Sequence, residues 1–206
     1  MIESKNDYMA FLKADRIALG MSQETLWDHF TDLTVGSVWS FQQVLRKIEY
    51  YQNCKKNYLK NPYYYYLLYS FRKSQLKYGF IIEPNCFCAG LSISHPGPII
   101  VNPAAKIGVN CRIHPCTNIG TKAGFKDKVP KIGNNVYIGP GAKIFGDIII
   151  ADGIAIGANS VVNKSFFEQN ITIAGVPARK INNRGSKGLI INATEIIGYN
   201  PVPQTI

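Results

Sequence analysis

Acidic residues are scarce in this chain: 13 Asp and Glu stand against 23 Lys and Arg in 206 residues, a formal net charge of +10. That balance favours an anionic partner, whether nucleotide cofactor, nucleic acid, acidic glycan or membrane surface, without choosing among them. Long apolar runs are also missing. None approaches the roughly 20 residues needed to cross a bilayer, so no transmembrane segment is expected. The N-terminus shows no basic, apolar and small-residue leader. The five cysteines (Cys54, Cys86, Cys88, Cys111 and Cys116) are odd in number. The expectation is free thiols in a reducing cytoplasm. Cys86-Phe87-Cys88 is a C-x-C with no second pair, so no metal is expected. The glycines form neither GxGxxG nor GxxxxGK[ST], which removes support for nucleotide folds of those types. Histidine is rarest of the possible proton carriers: His29, His95 and His114.

What is present falls into two halves with different periodicity. Residues 1–80 read as helical. In "SKNDYMAFLKADRIALG" Ser4 is a cap and Gly20 a stop. In "SVWSFQQVLRKIEYYQNC", Trp39, Val44, Leu45 and Ile48 fall near helical spacing. Asn61-Pro62 opens "NPYYYYLLYSFRKSQLKYGF". Its tyrosines and Phe71 suggest packing between helices or subunits. A stacking platform for bases and a membrane-surface contact are the alternatives. His29, in "WDHFTD", reads as structural.

From residue 81 the beat is six. Ile81, Phe87, Ile93 and Ile99 are six apart, then Val101, Ile107, Ile113 and Ile119. After an interruption come Ile132, Ile138, Ile144, Ile150, Ile156 and Val162. Period six fits neither an α-helix nor an alternating strand. It fits a short strand, a corner and another short strand, three to a coil, with the aliphatics stacked inside. The expected fold is mainly β: a parallel β-helix over 81–181, an α-helical region over 1–80 and a C-terminal tail over 182–206. The tail is expected to form a last coil or to cover the end of the β-helix.

These hexads, with "GPGAKIFGD", "IGANSVV" and "IAGVPARKI", resemble the hexapeptide-repeat acyltransferases. The resemblance implies a left-handed parallel β-helix, a homotrimer or dimer of trimers, and acetyl-CoA as co-substrate. It points to the serine acetyltransferase-like branch, which includes O-acetyltransferases of surface polysaccharides. His95, in "SHPGP", matches the catalytic histidine of a "DHATG" motif, with Ser94 in place of the aspartate. Val129, in "VPKIG", replaces a substrate-binding histidine. Residues 81–83 supply no supporting aspartate. These departures shift the expected acceptor towards a hydroxyl of a sugar or capsular polysaccharide. A serine O-acetyltransferase and a non-catalytic assembly module are the alternatives.

Acetyl transfer to a hydroxyl needs a base near neutral pH, which histidine provides. His95 is the expected general base, with direct transfer rather than a covalent step through Cys111 or Cys116. His114 falls on a neighbouring coil of the same face and is the second catalytic candidate. The beat slips by two residues near His95, as an extended corner would cause. Gly139, Gly141, Gly157 and Ala158 match or adjoin the channel for the pantetheine arm, Gly120 and Thr121 open the interrupting loop, and Arg179 and Lys180 lie where the family places basic groups near the CoA phosphate. The loop "TKAGFKDKVP" (121–130) carries Lys122, Lys126 and Lys128; the resemblance implies that it borders a neighbouring subunit's active site. No nucleic-acid partner is expected.

Overall fold

The computed structural model describes residues 1–21 and 37–199. His29 lies outside the described residues. Helix α1 (Lys5–Ala18) begins where the Ser4 side chain accepts the Asp7 N–H and ends before Gly20, whose φ is +79°. Helix α2 (Val38–Cys54) starts on a reciprocal cap between Ser37 and Ser40. Helix α3 (Pro62–Tyr78) has Asn61 as its cap, proline in its first turn and Gly79 in the left-handed region at its end. No described helix is long and apolar enough to cross a membrane.

The parallel β-helix expected from the hexads follows, left-handed as the resemblance implied. Its strands are β1 (Phe80–Ile81), β2 (Ser92–Ile93), β3 (Ile99–Val101), β4 (Lys106–Ile107), β5 (Arg112–Ile113), β6 (Thr117–Gly120), β7 (Lys131–Ile132), β8 (Tyr137–Ile138), β9 (Lys143–Phe145), β10 (Ile149–Ile150), β11 (Ala155–Ile156), β12 (Val161–Val162), β13 (Thr172–Gly175) and β14 (Ala178–Asn182). They form a triangular prism. The first face stacks β1, β3, β6, β9 and β12; the second stacks β4, β7 and β10; the third stacks β2, β5, β8, β11 and β13, with β14 returning antiparallel. Parallel pairing at roughly 4.8 Å per coil puts residues of one column above one another.

Three inward columns result. Val101, Ile119, Ile144 and Val162 line one; Phe87, Ile107, Ile132, Ile150 and Phe166 the next; Ile93, Ile113, Ile138, Ile156 and Ile173 the third. Most are fully buried, each such side chain contributing about 1.5–3 kcal/mol. The first coil corrects the expected beat. Ile81 points outward and is half exposed, while Ile82 is the buried residue. The pairing of Phe80 with Ile99 and Ile81 with Ile100 fixes that phase. Ile99 is buried but shares its level with Thr117, not with Ile119. The slip of two therefore lies in the wide turn 94–98.

The helices dock on the bottom coils through a buried ionic cluster. Arg46 is fully buried; its Nε meets Asp15 at 2.8 Å and its Nη1 meets Glu49 at 2.9 Å. Its remaining N–H groups reach the carbonyls of Phe87 and Cys88 and the second Asp15 oxygen. Asp15 also accepts the N–H groups of Gly90 and Leu91. Burial alone would pull the guanidinium towards neutrality, but the charges of Asp15 and Glu49 outweigh it and hold Arg46 protonated.

The tail corrects its own expectation. Among the described residues it runs back down one edge of the prism rather than adding a coil or capping an end. Ser186 donates from its N–H to Gly153 and from its hydroxyl to Asn135. Thr194, on helix α4 (Ala193–Ile196), exchanges hydrogen bonds with Asn110. Tyr199 closes on Asp7 at 3.0 Å and on the Phe11 ring of α1.

Candidate active site

The three edges of the prism differ in chemistry. The edge from the third face to the first carries the turns 94–98, 114–116, 139–141 and 157–159, stacked in that order. His95, His114, Gly139, Gly141, Gly157 and Ala158 all sit on it. Register proves the stacking of the histidines: Ser92 pairs with Arg112 and Ile93 with Ile113, and the Ser94 N–H donates to the Ile113 carbonyl at 3.1 Å. His114 therefore lies directly over Ser94, one coil above the His95 turn. In that turn a Cβ on Gly97, at φ +140°, would stand 2.9 Å from Pro115. The two His-Pro turns touch.

The two rings are held differently. His114 is half-buried, packs on Tyr137 with ring centres 4.9 Å apart, and sets Nδ1 3.0 Å from the Ile138 carbonyl. A carbonyl only accepts, so this contact assigns the proton to Nδ1 and leaves the Nε2 lone pair unprotonated. Burial pushes the His114 pKa below the ordinary histidine value; the Ile138 hydrogen bond opposes this, and the charges of Arg112 and His95 add to it. His95 is exposed on its turn, and among the described residues no hydrogen bond orients its ring.

Arg112 was not among the residues that sequence reasoning singled out. It lies on the outer surface of the third face, one residue before the inward Ile113. Its Nε donates to the Ser94 hydroxyl at 3.1 Å. That contact holds the guanidinium beside the turn that carries His95. The available signal was its register over Ser92, which follows once Ile93 and Ile113 are placed in one column.

The candidate cofactor residues divide. Gly139 and Gly141 are buried between coils. A Cβ on Gly139 would lie 2.7 Å from the Ile156 carbonyl, and one on Gly141, at φ +76°, would run into Asn159. Their smallness serves stacking. Gly157, above them, is equally tight, since a Cβ there would lie 2.8 Å from the Ala174 Cβ; Ala158 beside it is exposed. Gly120 and Thr121 sit on another edge, at the foot of the loop 121–130. Arg179 and Lys180 are exposed on β14; Lys180 is paired with Glu168. In the loop, Lys128 is paired with Asp147 at 2.9 Å. The Cys111 thiol is buried and its pKa is pushed up to about 12 by that burial, which disqualifies it as a nucleophile at neutral pH.

No family model matches the chain. Curated relatives do. Serine acetyltransferase of Synechococcus elongatus is 32% identical over 114 residues, covering 54% of this chain and 46% of the relative. That of Helicobacter pylori strain J99 is 36% identical over 93 residues, covering 45% of this chain and 54% of the relative. The chain spans about half the length of the curated relatives it matches. Among solved structures, serine acetyltransferase from Brucella abortus strain S19 superposes with a TM-score of 0.66 at 28% identity, covering 88% of this chain and 72% of that one. A serine acetyltransferase in complex with CoA gives 0.64 at 26% identity, covering 86% and 71%.

These likenesses overturn the sugar or capsular polysaccharide acceptor expected from the sequence. That expectation rested on Ser94, on Val129 and on the lack of an aspartate in residues 81–83, and the relatives that share the repeat are serine acetyltransferases. The repeat, the coil and these relatives agree in supporting the resemblance to the hexapeptide-repeat acyltransferases, with serine acetyltransferases as the similar proteins.

Proposed function

We propose that this protein is an acetyl-CoA-dependent serine O-acetyltransferase. The observation that carries the reading is the pair of histidines stacked in register on one edge, the edge that also carries Gly157 and Ala158 beyond the 139–141 turn. His95, in the wide turn, is the base that takes the proton from the serine hydroxyl. His114 stands one coil above it, with Nδ1 committed to Ile138 and Nε2 free to accept. It replaces the missing aspartate as the group that receives an N–H from His95. The serine oxygen attacks the thioester carbon, the C–S bond breaks, and the proton held by His95 passes to the departing CoA thiolate. The products are O-acetylserine and CoA. Arg112 takes the serine carboxylate through its Nη groups, which favours an amino-acid acceptor over a neutral one.

Acetyl-CoA fits along Gly157 and Ala158, with Arg179 beyond them for the phosphates. Gly120, Thr121 and the loop 121–130 lie on a different edge of the same chain. A homotrimer, alone or doubled, accounts for that division by bringing one subunit's loop edge against its neighbour's histidine edge. Free thiols at all five cysteines suit a reducing cytoplasm.

The test is CoA release with L-serine. His95→Ala should lose about 10²- to 10⁴-fold in kcat. His114→Gln, which can still donate to Ile138 and accept from His95, should lose less than His114→Ala. Arg112→Met should raise KM for serine more than it lowers kcat. Wild-type turnover in His95→Ala overturns the assignment of the base. No CoA release with L-serine, in a protein that binds acetyl-CoA by calorimetry, overturns the acceptor. No acetyl-CoA binding leaves the non-catalytic module instead.

A further inference from the structure

Between Glu49 and Glu83 the chain carries Lys55, Lys56, Lys60, Arg72, Lys73 and Lys77 and no acidic residue. One side of this segment packs on α2 and β1; the other side is exposed among the described residues. One stripe of α3 is buried: Tyr64, Leu67, Phe71, Gln75 and Tyr78. The opposite stripe carries Tyr65, Tyr66, Tyr69 and Leu76. Leu76 is 86% exposed, Tyr69 66% and Tyr66 62%. Lys73 and Lys77 flank that stripe at its C-terminal end. At its N-terminal end Tyr65 donates to the carbonyl of Leu59, itself exposed, and so ties the α2–α3 connection to the same face. That connection forms a cavity of about 400 Å³ lined by Tyr51, Lys55, Lys56, Asn57, Tyr58 and Lys60.

Three lysines around one cavity with no carboxylate among the lining residues make a receptor for an anion. Beside them, tyrosines and a leucine stand in water with the amphipathic character that suits a bilayer interface, apolar ring and polar tip. The cations lie at both ends of the aromatic stripe, where long side chains reach phosphates while the rings sit deeper. A second copy is disfavoured, since a two-fold contact would set this basic face against itself. A single-stranded nucleic acid is disfavoured because the cations are not interleaved with the rings along the stripe.

We propose that this face docks on the surface of an anionic lipid bilayer, with an acidic headgroup in the Lys55–Lys56–Lys60 cavity and Tyr66, Tyr69 and Leu76 at headgroup depth. The docking places the histidine edge beside a membrane without a spanning segment and is independent of the acceptor assigned above.

Co-sedimentation of the full chain with vesicles tests it. Binding should be strong to phosphatidylcholine vesicles with about 30% phosphatidylserine, absent from phosphatidylcholine alone, and lost at about 0.5 M NaCl, where screening shortens the reach of the charges. Lys56→Ser with Lys60→Ser, and separately Tyr66→Ser with Tyr69→Ser, should each weaken partition about tenfold. All four side chains are exposed, and an unchanged thermal melt of each variant shows that the fold survives. Equal binding to neutral and anionic vesicles, or none to either, overturns the proposal. So does a doubling of mass in light scattering that the tyrosine pair abolishes while vesicles stay unbound, since a second copy then covers the face. Retention of single-stranded DNA without vesicle binding overturns it as well.

Discussion

Two edges of the same prism have opposite fates. The edge between the second and third faces carries a ladder of corner amides and carboxylates. Asn134 Oδ1 accepts from Val109 N–H, Asp152 Oδ1 accepts from Asn134 N–H, and Asn110 bonds Asn135. The tail lies over it from Ser186 to Thr194, and Asp15 of α1 closes its lower end at Gly90 and Leu91. The edge between the third and first faces carries the two histidines and is not strapped by any described residue. Both are built from turns of the same repeat. Where the corner groups bond to one another and to a strap, the edge holds the molecule together. Where a turn is widened by two residues and no described residue covers it, the polar side chains remain available for chemistry.

The covered edge should therefore fail by stability and the open edge by turnover, and the largest effect should come at the base of the covered one. Asp15→Ala removes the two Asp15 oxygen contacts from Arg46, leaving Glu49 as its one carboxylate partner, and leaves the Gly90 and Leu91 N–H groups unpaired in a buried place. A loss of about 3–5 kcal/mol is expected in urea unfolding, because one partner of a buried charged cluster has gone while the other stays. A loss under about 1 kcal/mol would mean that the helical region is not anchored through this cluster.

A matched pair of asparagines makes the comparison sharper at smaller cost. Asn110 and Asn159 both take positive φ, 54° and 55°, at corners of the repeat. Asn110, on the covered edge, is buried and bonds Asn135 and Thr194; Asn159, on the open edge, is exposed. Alanine at either position carries the backbone strain of about 1 kcal/mol. Only Asn110→Ala also loses the strap, for a total of about 2–4 kcal/mol. Glycine relieves the strain at both sites, so Asn159→Gly should unfold nearly as wild type while Asn110→Gly remains destabilised. Equal effects at the two sites would erase the distinction between the edges.

How far this was legible in the sequence depends on what kind of group does the work. The columns were readable because one inward aliphatic recurs at fixed spacing from Ile132 to Val162. The phase failed at Ile81 because Phe80, Ile81 and Ile82 are all apolar, and only pairing with β3 decides which of them turn in. The neighbouring placement of His95 and His114 followed from counting coils. The partner of His114 did not, since a main-chain carbonyl at Ile138 leaves no mark on side-chain identity. Arg112 was hidden because outward positions on a solenoid carry no periodic signal. The strap was hidden because it docks through Ser186 and Thr194, residues that read as ordinary loop and cap.

The smallest effect tests the open edge by pH. The folded pKa of His114 lies below that of the unfolded chain, chiefly because burial disfavours the charged ring. The unfolded state then binds the extra proton first. Stability should be complete above the ordinary histidine value of about 6.5 and decline as pH falls through the window below it, until the folded ring also protonates. His114→Gln cannot protonate, so its unfolding midpoint should lose that part of the slope below pH 6.5 while keeping whatever the carboxylates contribute lower down. The same ring must stay neutral to accept from His95, so kcat/KM should fall at the lower edge of that window, where the folded ring protonates. If His114→Gln keeps the wild-type slope in both stability and turnover, the ring is not the titrating group, and the open edge depends on His95 alone.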